Sequence, residues 1–256
     1  MKKLNIIIVW YNEEKNLPKC FKSISNFDGK IDLNTIYCDQ SSTDSSLNIA
    51  KDFWIIVRRH PKYGMWEFSR IEVVEKEINN GEWLLFLDSD EEITKSLANE
   101  ITNIIVNDEC DVWILPIDLY FMRVKSTTAK QPRLFKKWSM KLQDIPHNAL
   151  IPISDNKKVL KNKLINYDLK NEGFEVQNLL EKLNRYTSIE VDRIWKISRI
   201  RLFYWLFIKP FIWFFWFWIR WGYFFKGLPW RILAFHNAAY QSFKYAKFYE
   251  KYYLKK

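Results

Sequence analysis

The sequence predicts an α/β fold in which helices cover a largely parallel sheet, followed by a basic and aromatic helical region. Two apolar runs, residues 4–10 and 83–87, are nearly continuous, as expected of strands buried on both faces. Segments with strand and helix periodicity alternate around them, an order typical of a doubly wound sheet. Hydrophobic residues make up 48% of the 256 positions, enough for a substantial core.

Residues 1–115 contain the alternating elements. The apolar run 4–10 is the first strand, and Leu17, Phe21 and Ile24 then mark one face of a helix over 13–24. The remaining predicted elements are strands at 35–38, 53–57 and 83–87 and helices at 43–51, 71–78 and 97–105.

Beyond residue 116 the pattern is less regular. Strand-like pieces at 119–124, 133–135 and 159–167 are expected to complete the sheet and wall a pocket, and a helix follows over 175–194. From Trp195 the composition changes, because 202–225 is almost wholly apolar and aromatic, and a last helix is predicted over 230–252. We therefore expect one domain over 1–194 and a separate helical region over 195–256.

Charge is distributed unevenly along the chain, whose formal net charge is +10. Residues 1–116 hold 13 Lys and Arg against 20 Asp and Glu, whereas the remaining 140 hold 27 against 10. A basic, aromatic C-terminal part indicates an anionic membrane surface or nucleic acid. Three widely separated cysteines imply neither a zinc site nor a disulfide framework. The first apolar run is short and lacks a cleavage site, so we expect a cytoplasmic protein.

Acidic side chains follow the predicted strands where those strands end. Asp88 and Asp90 come directly after a buried strand, and Asp39 follows an earlier one. Because ligand sites in open α/β sheets lie at the carboxyl ends of the strands, the two neighbouring carboxylates can hold a divalent cation that neutralises a diphosphate. The alternative is that Asp90 only caps the helix that begins after it.

Together these segments resemble the family 2 glycosyltransferases in V-W-Y-N-E-E-K-N-L (9–17), C-D-Q-S-S-T-D (38–44) and W-L-L-F-L-D-S-D-E (83–91). The resemblance extends to the lipopolysaccharide-core β-glucosyltransferase branch through P-R-L-F-K-K (132–137), P-H-N (146–148), L-I-N-Y (164–167), K-L-N-R-Y (182–186) and K-P-F…G-Y-F-F-K-G (209–227). The ordered set covers most of the chain and is more specific than any single motif.

The resemblance implies a GT-A fold, a Rossmann-like nucleotide-sugar domain, with a UDP-sugar as the expected donor. Matching positions carry over the following roles: Tyr11, Glu13 and Asp39 hold the base and ribose, Asp88 and Asp90 hold the diphosphate and a metal ion (Mg²⁺ or Mn²⁺), and Arg70 and Arg133 contact phosphates. His147 is expected as a third metal ligand, with a purely structural role as the alternative.

The resemblance also implies an inverting transfer in which a carboxylate removes the proton of the acceptor hydroxyl. The family commonly has His-Glu where this sequence has His147-Asn148, and an asparagine cannot accept that proton. Asp144 and Glu91 are therefore the candidate catalytic bases, with Asp118 behind them. The expected acceptors are a lipopolysaccharide-core sugar, a polyprenyl-linked saccharide or polyprenyl phosphate itself.

The stretch 202–225 is long enough for a transmembrane helix, which needs about 20 residues. Three features favour helices lying in the cytoplasmic leaflet: Lys209-Pro210 divides the run, the cations on its two sides balance, and Trp and Tyr prefer the interface. Insertion across the bilayer and a buried or oligomer helix are the alternatives. We expect a peripheral protein at the cytoplasmic face of a bacterial inner membrane, with an anionic lipid surface and no nucleic acid as partner.

Two other classes of protein compete with this interpretation. A nucleotidyltransferase would also use paired aspartates and a metal, but a chain with 6 glycines has no Gly-rich phosphate loop. A non-catalytic membrane- or nucleic-acid-binding protein would explain the basic end but not the acidic strand ends.

Overall fold

The computed structural model describes residues 1–62, 67–122, 124–143, 150–166, 175–192, 194, 197–220 and 222–254. The chain divides into two compact units, which we call the sheet unit (Met1–Tyr120 and Thr127–Lys170) and the helical unit (Phe121–Ser126 and Asn171–Lys256). The domain boundary expected from composition, between residues 194 and 195, lies inside the helical unit, after its first helix.

A mixed sheet forms the centre of the sheet unit. Its strands are β1 (Lys3–Trp10), β2 (Asp32–Asp39), β3 (Ile56–Arg59), β4 (Trp83–Leu87), β5 (Glu91–Glu92), β6 (Val112–Phe121), β7 (Val124–Lys136), β10 (Lys157–Val159) and β11 (Leu164–Asn166). The order is β3-β2-β1-β4-β7-β6-β11-β5, with β10 on β6, while β8 (Met140–Leu142) and β9 (Leu150–Pro152) form a separate antiparallel pair. The first four strands in that order are parallel, and β7 runs antiparallel to β4.

Helices cover both faces of this sheet, and the alternation of buried residues along β1 determines which face each side chain meets. Ile6 and Ile8 pack in one cluster with α1 (Leu17–Ile24) and α4 (Lys95–Asn107). Ile7 and Val9 pack in a second cluster with α3 (Glu67–Glu77). Each fully buried aliphatic side chain of this kind contributes about 1.5–3 kcal/mol to stability, so the two layers hold the strand ends in fixed positions.

Several elements differ in position from their predictions. The helix expected over 13–24 begins at Leu17, and the strand expected over 119–124 falls across the end of β6 and the start of β7. The strand expected over 53–57 is found at Ile56–Arg59, because Phe53 caps the end of α2 (Ser46–Asp52) and Trp54 adopts a left-handed conformation with φ 57°. That turn delays the strand by three residues and leaves the Trp54 ring exposed. Local hydrophobicity alone does not encode such a turn.

Three long helical segments lie in the described part of the helical unit. The first is α5 (Glu175–Val191) and the last is α8 (Leu228–Tyr249), which a π-helical turn extends through Glu250–Leu254. Between them lies a continuous helical run from Arg199 to Arg220, which we call the apolar helix. It consists of α6 (Arg199–Phe203), α7 (Lys209–Phe215) and the π-helical turns Tyr204–Ile208 and Trp216–Arg220.

Pro210 does not divide the apolar helix, contrary to the expectation from Lys209-Pro210. Proline lacks the N–H that would bond the Leu206 carbonyl one turn earlier. The preceding π-helical turn absorbs the distortion, and the Ser242 hydroxyl of α8 donates to the Leu206 carbonyl at 3.4 Å. Among the described residues, Arg199–Ile219 is the one helix long and apolar enough to cross a membrane, with a mean hydropathy of 1.5.

Polar contacts also join α8 to α5. The Tyr240 hydroxyl donates to one oxygen of Glu190 at 2.7 Å, and Lys244 donates to the other at 3.1 Å. Burial and the Glu190 charge raise the pKa of Tyr240, so this hydroxyl keeps its proton. The α5–α8 pairing is therefore specified by charge-assisted hydrogen bonds as well as by packing.

Candidate active site

Three parallel strands end side by side at one edge of the sheet. Trp10 is aligned with Asp39 in the register of β1 and β2, and Ile8 is aligned with Leu87, directly before Asp88. Adjacent strands are about 4.8 Å apart, so Asp39 and Asp88 leave the sheet about 10 Å apart, with the end of β1 between them. This is the edge at which open α/β sheets bind ligands.

The loops after β1 and β2 are fastened to each other by side-chain to main-chain hydrogen bonds. The Asn12 N–H donates to the Ser42 hydroxyl and the Glu13 N–H to the Ser46 hydroxyl, both at 2.9 Å. Thr43 N–H in turn donates to the Asn12 side chain at 2.8 Å. Asn12 has φ 53°, a conformation that asparagine tolerates better than most residues. The result is a rigid double loop at the strand ends.

Two residues predicted to hold the base and ribose form part of this double loop. The Asp39 carboxylate is 0% exposed, accepts the Ser42 N–H at 3.2 Å, and lies 3.7 Å from Arg59 Nε. Glu13 is also buried, and its side chain accepts a 2.6 Å hydrogen bond from Asn16 at the start of α1. Both carboxylates therefore shape the loops.

Tyr11, the third predicted base and ribose contact, is half-buried. The Lys62 ammonium lies 3.7 Å from the centre of its ring. A hydrogen bond with Thr43 and the Lys62 charge lower the pKa of Tyr11 below its ordinary value. A cation over an aromatic ring face is a favourable arrangement.

Asp88 is the centre of a buried ion cluster. Arg133 Nη2 donates to its Oδ2 at 2.8 Å, and Arg70 Nη2 donates to its Oδ1. Arg133 also lies 3.4 Å from Glu91, and its Nε donates to Gln131 at 3.0 Å. Burial opposes ionisation, but the two guanidinium groups outweigh it and hold the pKa of Asp88 well below its usual range. Both arginines predicted to contact phosphates are thus anchored on this carboxylate.

Glu91 closes the turn that follows Asp88. Its Oε2 accepts the Asp88 N–H at 2.8 Å, and its own N–H donates to the Asp88 carbonyl at 3.0 Å. Glu91 is 1% exposed, and burial raises its pKa to about 7 against the opposing effect of Arg133. The Asp90 side chain, on the same turn, is half-buried.

The other predicted site residues lie apart from this cluster or outside the described residues. Asp118, in β6, accepts a hydrogen bond from Thr128 at 2.6 Å and lies 3.5 Å from Lys163. Asp144 and His147 fall in the segment 144–149, outside the described residues. The roles of Asp144 as base and of His147 as metal ligand stay predictions.

The carboxylate oxygens at the turn after β4 meet only part of what a hard divalent cation needs. Carboxylate oxygens are the ligands that Mg²⁺ and Mn²⁺ prefer. However, both oxygens of Asp88 already accept hydrogen bonds from arginines, and the part of the chain that the structure describes contains no group of three His, Cys, Asp or Glu side chains placed to hold a metal. The fit therefore depends on Asp90 together with a ligand from elsewhere.

Sequence reasoning missed several residues that build the site. Ser42 and Ser46 fasten the double loop, Lys62 covers Tyr11, and Gln131 orients Arg133. The two serines carried a signal, because they belong to the polar turn after Asp39. Gln131 lies two residues before Arg133 in β7, a spacing that places both side chains on one face of the strand. The contact of Lys62 with Tyr11 depends on a chain crossing that local spacing does not predict.

A family model describes this region directly. The chain matches the model "Glycosyl transferase family 2" over residues 5–168, which include every strand end discussed above. The chain therefore belongs to glycosyltransferase family 2, and its sheet unit has the mixed α/β, Rossmann-like GT-A fold. This confirms the family and the fold expected from the motifs, whereas the lipopolysaccharide-core branch stays a prediction.

Among individual proteins, the chain is similar to uncharacterized glycosyltransferases. One from Rickettsia typhi is 26% identical over 234 residues, which cover 82% of this chain and 77% of that protein. One from Mycoplasma pneumoniae is 26% identical over 147 residues, 55% of this chain and 49% of that protein.

Solved structures of Staphylococcus aureus TarS share the fold. The fragment 1–349 is 18% identical, with a TM-score of 0.51, and the match covers 100% of this chain and 92% of that one. The same fragment in complex with UDP-GlcNAc gives a TM-score of 0.50. Against a longer TarS chain the match covers 98% of this chain but 55% of that one, so the present chain spans about half its length.

Proposed function

We propose that the chain transfers a sugar from a nucleoside diphosphate sugar, with a UDP-sugar as the expected donor, to a saccharide acceptor with inversion at the anomeric carbon. The observation that carries the proposal is the convergence of Tyr11, Asp39, Asp88 and Asp90 on one sheet edge inside the region that matches the family model. The UDP-GlcNAc complex of the structurally similar TarS fragment supports a uridine nucleotide as donor.

The nucleoside is expected at the double loop. Tyr11 offers a ring face once Lys62 moves aside, and Asp39 is held close by the Ser42 N–H. Because the double loop is rigid before the donor arrives, little ordering cost is added on binding.

The diphosphate is expected at the Asp88 cluster. Arg70 Nε and the Ser89 hydroxyl are both buried, and neither has a hydrogen-bond partner among the described residues. Two unpaired donors beside two guanidinium groups favour an anionic ligand, because a buried donor gains most when an acceptor reaches it. Asp88 holds the arginines in place before the phosphates arrive.

We assign Asp90 as the main protein carboxylate for a Mg²⁺ or Mn²⁺ ion, with Asp88 and His147 as the other predicted ligands. When bound, such an ion would neutralise charge that develops on the departing nucleoside diphosphate. Asp144 or Glu91 accepts the proton of the acceptor hydroxyl, with Asp118 behind them. Glu91 already holds the Asp88 N–H, so its replacement should affect folding as well as turnover.

The acceptor is proposed to be a lipid-linked or lipopolysaccharide-core saccharide at the cytoplasmic face of a bacterial inner membrane, where the chain would be peripheral. The basic and aromatic helical unit supports this location, since cations and Trp rings favour an anionic interface.

A donor screen tests the enzymatic part of the proposal. The purified full chain is incubated with nucleotide sugars and Mn²⁺, and release of the nucleoside diphosphate is measured. We expect a UDP-sugar to be hydrolysed, EDTA to abolish the reaction, and Asp90→Asn to lower turnover by about 100-fold or more. Asp52→Asn, an exposed aspartate at the end of α2, is the matched control. Unchanged turnover in Asp90→Asn, or full activity in EDTA, would refute the metal assignment.

A further inference from the structure

The outward face of the apolar helix consists of exposed apolar side chains. A helix on the surface of a soluble protein normally turns polar residues outward. Here Phe211, at its middle, is 66% exposed, and the exposed set runs along the whole helix: Ile200, Phe203, Phe207, Ile208, Phe211, Ile212, Phe215, Trp216 and Ile219. The helix is about 30 Å long, so this is a continuous apolar surface far larger than scattered hydrophobic residues would give.

Packing within the helical unit does not use this face. The opposite side of the helix contacts α8, where Trp205 stacks on Tyr245 with ring centres 4.9 Å apart. Further along, Phe214 and Trp218 pack with Trp230 of α8. The unit therefore already has a core, and the exposed face is left for an external partner.

The charged residues near the exposed face of the apolar helix indicate which kind of partner that face fits. From residue 195 to the end there are 12 Lys and Arg and a single acidic residue, Glu250. Arg199 and Arg201 lie at one end of the apolar surface, and Lys226 and Arg231 follow its other end. A second copy would bring like charges together, whereas a bilayer with anionic headgroups offers both acyl chains and complementary charge.

The position of Lys209 distinguishes two ways of meeting a bilayer. It lies midway along the apolar helix, about 15 Å from either end, with its ammonium 5.7 Å and 5.9 Å from the Trp205 and Trp213 ring centres. If the helix crossed the membrane, Lys209 would lie near the bilayer centre, where a cation is strongly disfavoured. If the helix lies in the interface, Lys209 and the terminal arginines are all at headgroup depth.

The partner helix α8 favours the same orientation. It packs along the apolar helix but carries Arg231, His236, Gln241 and Lys244. A hairpin insertion of the two helices would take these polar side chains into hydrocarbon as well. Lys244 is also paired with Glu190 of α5, so insertion would break that contact.

We infer that the apolar helix is a one-leaflet anchor that lies parallel to the surface of an anionic phospholipid bilayer. The exposed face listed above enters the leaflet, to a depth of about 5–10 Å, and the flanking cations bind phosphate headgroups. This inference rests on the membrane location proposed above but not on sugar transfer, so vesicle binding and the donor screen fail independently.

Vesicle flotation of the full chain tests whether an anionic bilayer binds the exposed face of the apolar helix. We expect binding to phosphatidylcholine vesicles that contain phosphatidylglycerol, weaker binding to phosphatidylcholine alone, and weakening by salt. Phe207→Ser with Phe211→Ser should lower the partition coefficient about tenfold or more. Trp54→Ser, which removes a 93% exposed ring from the sheet unit, is the matched control and should bind as wild type does. No flotation, an equal loss in the control, or a stable dimer that buries this face instead would overturn the inference.

Labelling with a membrane-impermeant maleimide tests the orientation. The three native cysteines are buried, so Arg199→Cys, at the start of the apolar helix, and Lys226→Cys, beyond its other end, each add one accessible thiol. With chain added to the outside of sealed vesicles, a one-leaflet anchor leaves both thiols labelled from outside. Protection of one of the two until the vesicles are lysed would mean that the helix spans the bilayer and would overturn the inference.

Discussion

Replacing Asp88 by asparagine should destabilise the sheet unit, whereas the same change at the exposed Asp52 should not. Asp88 accepts hydrogen bonds from Arg70 and Arg133, whose side chains are 11% and 8% exposed. Removing one partner of a buried ion pair costs about 3–5 kcal/mol, and because asparagine keeps one acceptor oxygen we take about 3 kcal/mol. For a unit of this size that lowers Tm by roughly 6–12 °C.

Thermal unfolding followed by near-ultraviolet circular dichroism measures this difference. Asp52→Asn is the matched control, because the same chemical change occurs there on an exposed side chain at the end of α2, and it should move Tm by about 2 °C or less. A double-mutant cycle of Asp88→Asn with Arg70→Met should also be non-additive by about 1 kcal/mol or more. Equal melting of Asp88→Asn and the wild type, or additive effects in the cycle, would refute the ion-cluster reasoning.

Three further measurements probe other parts of the structure. Ser46→Ala leaves a buried main-chain N–H of the double loop without an acceptor and should lower the free energy of unfolding in urea by about 1–3 kcal/mol. The Ser45 side chain makes no capping hydrogen bond, so the control Ser45→Ala should lower it by about 0.5 kcal/mol or less. Tyr240→Phe removes the hydroxyl bonded to a carboxylate of α5 and should destabilise the helical unit by about 1.5 kcal/mol, with the exposed Tyr249→Phe as the control. Burial raises the pKa of Cys38 to about 12, so its thiol stays protonated at pH 8 and should be alkylated by iodoacetamide only after the chain is unfolded. Equal losses within either pair, or rapid alkylation of the native chain, would contradict the corresponding contact.

The strands and the edge at which they end could be predicted because they depend on local pattern. Residues 4–10 and 83–87 are apolar without alternation, and only a strand covered on both faces tolerates that arrangement. Once those strands are parallel, their carboxyl ends must share an edge, and Asp39 and Asp88 follow from the register. The predicted elements that depended on such runs were found within a few residues of their expected positions.

The ion pairs that Asp88 forms with two arginines could not be predicted, because they join residues far apart in the chain. Arg70 and Arg133 are 18 and 45 residues from Asp88, and neither spacing lies on one face of a single element. The apolar helix also has a tertiary contact at its proline, since Ser242, 36 residues away, donates to the Leu206 carbonyl, with which Pro210 cannot bond. In both cases a tertiary contact decides what a local rule leaves open.

The ion cluster also suggests why two aspartates occur one residue apart at this strand end. A carboxylate that is fully engaged by two guanidinium groups is a poor ligand for a cation, since the metal would compete with both hydrogen bonds and leave buried arginines unpaired. With Asp88 aligning the arginines, the positive groups needed for a diphosphate are held in place before it binds, and the cation proposed above would fall to Asp90.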